Sequence, residues 1–139
     1  MSTNTITISG NIGADIEPSF TRGGTTVVNF TVADTPRFKD DKTGEWRDGE
    51  TLWQRVAAFG VLAENIAQSF KKGDRVVVTG RLTQKSYLDN AGDKRVYTEV
   101  RAEDVGPSLK RATVVITRNP KKSNETDGQD DYPPYDEGQ

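Results

Sequence analysis

The sequence predicts a mainly β protein: a five-stranded Greek-key barrel of the OB type, with one helix between strands 3 and 4 and an extra C-terminal strand. Three observations favour this fold. Short segments alternate polar and apolar residues, glycine-rich turns separate these segments, and one helical pattern follows the third strand. An open β-sandwich is the competing fold, but it gives the helix no natural position.

Strands are predicted where apolar residues recur at every second position, because side chains two residues apart share a face. In residues 26–35, Val28, Phe30 and Val32 are expected to point towards the core. Gly106 and Pro107 are expected to break the last barrel strand before the C-terminal extension. The other barrel strands are predicted at residues 5–9, 51–59, 75–88 and 94–104, and the extra strand at 112–117.

A short helix is predicted after Gly60, where one apolar stripe consists of Leu62, Ala63, Ile66, Ala67 and Phe70. Lys71 and Lys72 are expected in its last turn, where cations interact favourably with the helix dipole. Gly73 is expected just after the helix, because glycine readily adopts the left-handed conformation common at that position. The helix is expected to hold the preceding strand in place.

The residue types exclude several kinds of active site. The 139-residue chain has no Cys, which rules out disulfides and thiolate metal sites, and no His, the usual zinc ligand and general base. Adjacent carboxylates at Asp40/Asp41 and Asp130/Asp131 lie in segments expected to be flexible, where neither geometry nor pKa is fixed. We therefore expect no enzymatic activity, no metal and no cofactor.

The chain is predicted to divide into a domain at residues 1–118 and a disordered acidic tail at residues 119–139. The tail has no apolar periodicity and contains 2 Lys against 6 acidic residues, whereas the domain contains 17 Lys and Arg against 15 acidic residues. No apolar run approaches the length of a membrane span, and the polar start is unlike a signal peptide. A soluble, cytoplasmic protein is expected.

Two predicted strands alternate aromatic and basic residues on one face. Trp53, Arg55 and Phe59 share a face of the strand at 51–59, and Arg81, Thr83, Lys85 and Tyr87 share a face of the strand at 75–88. Such a face can stack flat bases and pair with phosphates, as single-stranded nucleic acid requires. The candidate stacking residues are Phe38, Trp53, Phe59 and Tyr87. The candidate phosphate-binding residues are Arg22, Arg37, Lys39, Arg55, Lys72, Arg81 and Lys85.

Each of these assignments has an ordinary structural alternative. An aromatic residue on a strand is more often part of the core, and Phe59, next to the start of the helix, is the candidate most open to this objection. Alternating cations on an outer strand face are often only solvated surface. Trp46, in the long polar loop at residues 36–50, is expected to pack over the base of that loop.

Six segments resemble the bacterial single-stranded DNA-binding proteins: ITISGNIGAD, VVNFTVA, TGEW, TLWQRVAAFG, LAENIAQSFKKGDRVVVTGRL and DNAGDKRVYTEVRAEDV. The resemblance covers about residues 4–106 in unbroken order. The following GPSLKRATVVI is similar to the extension of actinobacterial members, and a phage of such a host could encode the same type of sequence.

The resemblance implies an OB-fold homotetramer, associated with the nucleoid, that coats and protects single-stranded DNA in replication, recombination and repair. The family's base-stacking positions fall on the four aromatic candidates, with Phe38 and Tyr87 in place of frequent tryptophans. Gln54 stands where a His at a subunit contact is common, so this contact is in doubt. The segment at 112–117 corresponds to a strand that clamps dimers in actinobacterial relatives.

The tail departs from the family pattern. Relatives usually end in an acidic run followed by Pro-Phe and a free carboxylate, which dock replication and repair enzymes. Here the acidic and aromatic residues are followed by Asp136, Glu137, Gly138 and Gln139. Docking of partner proteins is therefore expected through Asp130, Asp131, Tyr132, Pro133, Pro134 and Tyr135, without capture of a terminal carboxylate. Two other functions remain open: an RNA-binding or primosomal accessory protein of similar fold, and a protein-interaction scaffold that works through its tail.

Overall fold

The structure is a computed structural model that describes residues 4–121. Within these residues the chain forms eight strands and one helix. The elements are β1 (Thr5–Ile12), β2 (Ser19–Phe20), β3 (Thr26–Asp34), β4 (Arg37–Lys39), β5 (Trp46–Asp48), β6 (Leu52–Phe59), α1 (Gly60–Ser69), β7 (Arg75–Leu88) and β8 (Lys94–Pro107).

Five of the strands close into a barrel. The sheet order is β1-β7-β8-β6-β3, and a further pairing between β1 and β3 joins the two ends. Strands β6 and β8 run parallel, whereas the other barrel pairs are antiparallel. Helix α1 follows the third barrel strand. The predicted OB-type barrel, with one helix between its third and fourth strands, is confirmed.

The core consists of the inward-facing residues of the barrel strands and of one face of α1. Val28, Phe30 and Val32 are buried, as the period of β3 predicts. The helix contributes Ala63 and Ile66, which are fully enclosed with the strand residues in one cluster. This packing fixes the inner face of β6, while Trp53, Arg55 and Phe59 on its outer face remain exposed.

Helix α1 ends earlier than the sequence predicts. Phe70 is its C-cap with φ −122° and ψ 154°, so the chain leaves the helix before Lys71 and Lys72, and neither lies in the last turn. Gly73 does adopt a positive φ of 93°, but in the turn that leads into β7, where its N–H donates to the carbonyl of Ile12 at 2.8 Å. The turn is fixed by β1 rather than by the helix.

Strand β8 continues through the residues predicted to break it. Gly106 and Pro107 remain in register with Val77 and Val76 of β7. Proline lacks an N–H donor, and it is tolerated here because the pairing of β8 with β6 ends at Arg101, which leaves this end of β8 as an edge on one side. The N–H of Ser108 then donates to the carbonyl of Arg75 at 2.9 Å.

The extra strand predicted at 112–117 does not form within residues 4–121. This segment instead runs beside α1, where Val114 and Thr117 line a groove with Leu62 and Phe70. The backbone groups of a helix are bonded within the helix, so α1 offers this segment no ladder partner. Val115 is 94% exposed.

Two further predictions concern parts of the chain away from the barrel. The long loop at 36–50 contains a hairpin, formed by β4 and β5, that the sequence did not indicate. The tail residues proposed to dock partners, at 130–135, lie outside the described residues. Among residues 4–121, no helix is both long enough and apolar enough to cross a bilayer.

Candidate nucleic-acid interface

Trp53 lies on the outer face of β6 with its ring over Gly13. Its side chain is 62% exposed, and its register partner on β3 is the small residue Ala33. A Cβ atom added to Gly13 would lie 3.0 Å from Cζ3 of the Trp53 ring. The absence of a side chain at Gly13 therefore lets the indole lie against the barrel while its other surface faces solvent.

Arg55, two residues further along β6, stacks on a tyrosine from another strand. Its Cζ atom lies 4.3 Å from the ring centroid of Tyr97 on β8. This contact depends on the parallel pairing of β6 with β8, in which Arg55 is the register partner of Glu99. Favourable contacts between a guanidinium and an aromatic face occur within about 6 Å.

Tyr87 and Tyr97 form an aromatic pair on the β7–β8 hairpin. Their ring centroids are 5.9 Å apart and the planes are tilted by 56°, an ordinary geometry for contacting rings. Arg95 is the register partner of Tyr87, and its Nε donates to the Asp89 carboxylate at 2.9 Å. Tyr87, Tyr97 and Arg55 thus form one continuous surface across three strands.

Phe59 is covered on one side by a second arginine. It is the N-cap of α1 and remains 36% exposed, and the Cζ of Arg101 lies 4.4 Å from its ring centroid. Arg101 is in register with Arg81 of β7. Phe59 is therefore not a core residue, although a protein cation already occupies one of its faces.

The two predicted phosphate-binding residues of β7 have different surroundings. The Nζ of Lys85 is 3.0 Å from the Glu99 carboxylate, whose side chain is only 12% exposed, so this cation is already ion-paired. Arg81 has a buried Nε with no hydrogen-bond partner among residues 4–121. Because this Nε is enclosed by the protein, it cannot itself donate to an external oxygen, but Arg81 differs from Lys85 in forming no ion pair among the described residues.

The β4–β5 hairpin separates its candidates onto two faces, because residues opposite each other in an antiparallel pair share a face. Phe38 lies opposite Arg47, whereas Lys39 lies opposite Trp46 on the other face. Arg37, also on the face away from Phe38, makes an exposed ion pair with Asp48 at 3.3 Å. Trp46 is 61% exposed on the face of the hairpin that carries Lys39.

Arg22 and Lys72 lie in turns and not on β6, β7 or β8, the strands that carry the aromatic surface. Arg22 occupies the exposed turn that precedes the Phe59 end of β3. Lys72 belongs to the turn before β7, where its backbone N–H donates to Asp15 Oδ1 at 3.3 Å. The structure therefore places Arg55, Arg81, Lys85, Phe59 and Tyr87 on two strands that both pair with β8, whereas these two cations lie in turns.

The sequence profile of the Single-strand binding protein family matches residues 3–108. This chain belongs to that family. Several curated relatives are actinobacterial, as the sequence resemblance predicts. The single-stranded DNA-binding protein of Mycobacterium leprae is 50% identical over 114 residues, which cover 82% of this chain and 68% of the relative. That of Paenarthrobacter aurescens is 44% identical over 124 residues, which cover 89% of this chain and 72% of the relative.

Two solved structures of named single-stranded DNA-binding proteins share the fold. The small single-stranded DNA-binding protein of Streptomyces coelicolor superposes with a TM-score of 0.70 at 31% identity, covering 81% of this chain and 100% of that one. The Plasmodium falciparum protein, solved in complex with single-stranded DNA, gives a TM-score of 0.65 at 25% identity, covering 76% and 94% of the two chains.

Tyr97 and Arg101 of β8 also belong to the aromatic and cationic surface of β6, β7 and β8, but the sequence analysis does not predict them. The signal was present, because Arg95, Tyr97, Glu99 and Arg101 alternate along β8 in the same way as the residues chosen on β6 and β7. The prediction of Phe59 as a surface aromatic agrees with its exposure.

Proposed function

We propose that this protein binds single-stranded DNA without sequence preference and coats and protects it during replication, recombination and repair. The observation that carries this proposal is the continuous aromatic and cationic surface of β6, β7 and β8, on which Arg55, Tyr97 and Tyr87 are in contact and Trp53 is exposed. The names of the relatives support it, as does the single-stranded DNA bound to the Plasmodium falciparum protein.

The chemistry of this surface explains why binding would not depend on sequence. Every base has a π-face, so stacking on Trp53, Phe59, Tyr87 or Phe38 contributes about 1–3 kcal/mol per base whatever the base is. Cations along the path attract the phosphates and release counterions, which adds affinity that falls with salt. In a duplex the base faces are covered by neighbouring bases, so duplex DNA can bind only through the attraction between its phosphates and the cations.

The test is a titration of the full chain with oligo(dT) and with a duplex of equal length at two salt concentrations. The chain has two tryptophans, Trp46 and Trp53, so each can be observed alone. Trp46→Phe leaves Trp53 as the reporter, and we expect strong fluorescence quenching by oligo(dT) and a clear preference for the single strand. Equal affinity for duplex and single strand would contradict the stacking mechanism.

The same titration separates the other functions. An RNA-binding protein would prefer oligo(U) to oligo(dT) of equal length, because recognition of RNA depends on contacts to the 2′-hydroxyl. Deletion of residues 119–139 should leave DNA affinity unchanged or raise it, since an acidic tail competes with phosphates for the same cations. A protein-interaction scaffold would instead show no affinity for either nucleic acid, with or without its tail.

We further propose that the protein is a homotetramer in which residues 112–117 contact a second copy. The exposure of Val115 and Ile116 in the single chain supports a partner for this segment. Gln54 occupies the position of the expected subunit contact. Within the single chain, its Nε2 donates to the Thr98 carbonyl at 3.1 Å. Light scattering after deletion of residues 112–117 should report a smaller assembly, whereas an unchanged mass would count against this contact.

The tail at residues 130–135 docks replication and repair proteins in this proposal. Pull-down of such proteins with and without the tail tests it.

A further inference from the structure

Arg55 and Tyr97 are distant in sequence, yet they form a layered pair on the proposed DNA-binding face. The guanidinium of Arg55 lies over the Tyr97 ring, with its Cζ 4.3 Å from the ring centroid. Tyr87 stands beside this pair with its ring centroid 5.9 Å from that of Tyr97. Arg55 itself is exposed, so the guanidinium is supported by a ring on one side and open to solvent on the other.

We propose that Arg55 acts as a base-stacking plane, so that a DNA base, the Arg55 guanidinium and the Tyr97 ring form three successive layers. This inference rests on the proposed single-stranded DNA binding and changes the role of Arg55 from a phosphate partner to a stacking group. It also assigns Tyr97 to the DNA-binding site as the residue that positions this plane. Tyr87 forms the adjacent wall.

The chemistry of the guanidinium suits this role. It is planar, delocalised and weakly hydrated, and it stacks on aromatic faces, whereas the ammonium of lysine is a compact and strongly hydrated point charge. A long arginine side chain normally loses rotamer freedom when it is ordered by a ligand. Because Tyr97 already holds the guanidinium, a base that stacks on it finds a prepared surface.

The charges around Arg55 weaken its attraction for a phosphate but leave its contact with a neutral base unaffected. Its register partner on β8 is Glu99, whose partly buried carboxylate also binds Lys85 Nζ at 3.0 Å. Arg55, Lys85 and Glu99 together carry a net charge of only +1. A phosphate brought to Arg55 would approach this carboxylate, while an uncharged base would not be repelled.

Arg101 provides a contrast on the same surface. Its guanidinium also covers a ring, that of Phe59, but its register partner is the cation Arg81, whose buried Nε lacks a partner among residues 4–121. Two neighbouring guanidinium groups concentrate positive charge, which suits a phosphate oxygen. An aromatic neighbour alone is therefore not enough to assign an arginine to base stacking. Arg55 is assigned to stacking because it has both an aromatic ring and a carboxylate beside it.

The experiment compares charge-conserving and charge-removing variants in oligo(dT) titrations over a range of salt. We expect Arg55→Lys to lower affinity about tenfold without changing the salt dependence, because the charge remains and the plane is lost. Tyr97→Leu should lower affinity by a similar factor, and Tyr97→Phe should stay within about twofold of wild type. Arg111→Lys, at an exposed arginine outside the surface, is the matched control and should bind as wild type.

The double variant Arg55→Lys/Tyr97→Leu should lose no more than the larger single loss, because both changes remove one layered site. Arg55→Lys within about twofold of wild type would overturn the inference. If Arg55→Gln then reduced the salt slope by about 0.7, the value for one phosphate contact on a single strand, Arg55 would be a phosphate partner and DNA binding would stand. A wild-type protein without preference for oligo(dT) over duplex would overturn the proposed function itself, and the inference with it.

Discussion

The position of the Trp53 ring can be altered without touching Trp53, by the substitution Gly13→Ala. A Cβ atom at position 13 would lie 3.0 Å from Cζ3 of Trp53 and 2.8 Å from Oγ1 of Thr31. Ordinary contacts begin at about 3.4 Å, so the ring must move outwards by several tenths of an ångström. Both obstacles are side-chain atoms, and the Thr31 hydroxyl can rotate away, so the backbone of the barrel need not change.

The expected effects on stability and on binding differ in size. Replacing glycine by alanine reduces the entropy of the unfolded chain, which stabilises by about 0.4–1 kcal/mol and offsets the local crowding, so the free energy of unfolding should change by less than about 1 kcal/mol. A displaced ring still stacks, but less well. We therefore expect a binding loss of about 0.5–1.5 kcal/mol, or roughly 2- to 10-fold, which is smaller than the 1–3 kcal/mol expected for Trp53→Ala.

A double-mutant cycle with oligo(dT) titration tests the reasoning. In the Trp53→Ala background there is no ring to displace, so Gly13→Ala should have no further effect on affinity. Gly106→Ala is the matched control, because a Cβ atom there would have no neighbour within 4 Å among the described residues. If Gly13→Ala weakened binding equally in the presence and absence of Trp53, its effect would not pass through the ring.

Three further outcomes concern stability and are measured by urea unfolding at one protein concentration. Gly80→Ala places a Cβ atom 2.2 Å from the backbone oxygen of Arg101, so it should destabilise the barrel by more than about 2 kcal/mol, and a smaller effect would mean that β7 and β8 can separate locally. Ile66→Ala removes a fully buried side chain of α1 and should cost about 2–5 kcal/mol. The N–H of Asp93, together with the Arg95 guanidinium, lowers the pKa of Asp89 below its ordinary value of 3.8. This contribution to stability is complete above pH 3.8 and is lost as the pH falls through the folded-state pKa, so the stability difference between wild type and Asp89→Asn should shrink only in acid.

The sequence predicted best the features that depend on local periodicity. Strand β7 begins at Arg75 and ends at Leu88, as its alternation indicates, and the inward residues of β3 are all buried. Glycine turns and one apolar helical stripe were enough to select the barrel. The end of α1 was predicted less well, because Phe70 fits the helical stripe while its backbone is already extended.

Features that depend on a partner elsewhere in the chain were predicted poorly. The β4–β5 hairpin pairs short polar segments that have no apolar period. Residues 112–117 have the composition of a strand, but a strand also needs a free neighbouring edge, and this segment lies beside a helix. The composition of such a segment indicates that it can form a strand. It does not indicate which strand, in this chain or in another copy, would pair with it.

The pair of Arg55 and Tyr97 illustrates the same limit at the site itself. Each residue belongs to a readable alternation on its own strand, yet their contact depends on the parallel register of β6 with β8, which joins segments separated by a helix and a whole strand. Alternation indicates which face a cation occupies, but it cannot indicate whether a ring or a carboxylate lies beside it. The neighbouring group decides whether the cation is available to bind a phosphate or is positioned on a ring to stack a base. The role of each basic residue on this face therefore has to be derived from the register of the barrel, and Arg55→Lys is the substitution that distinguishes the two roles.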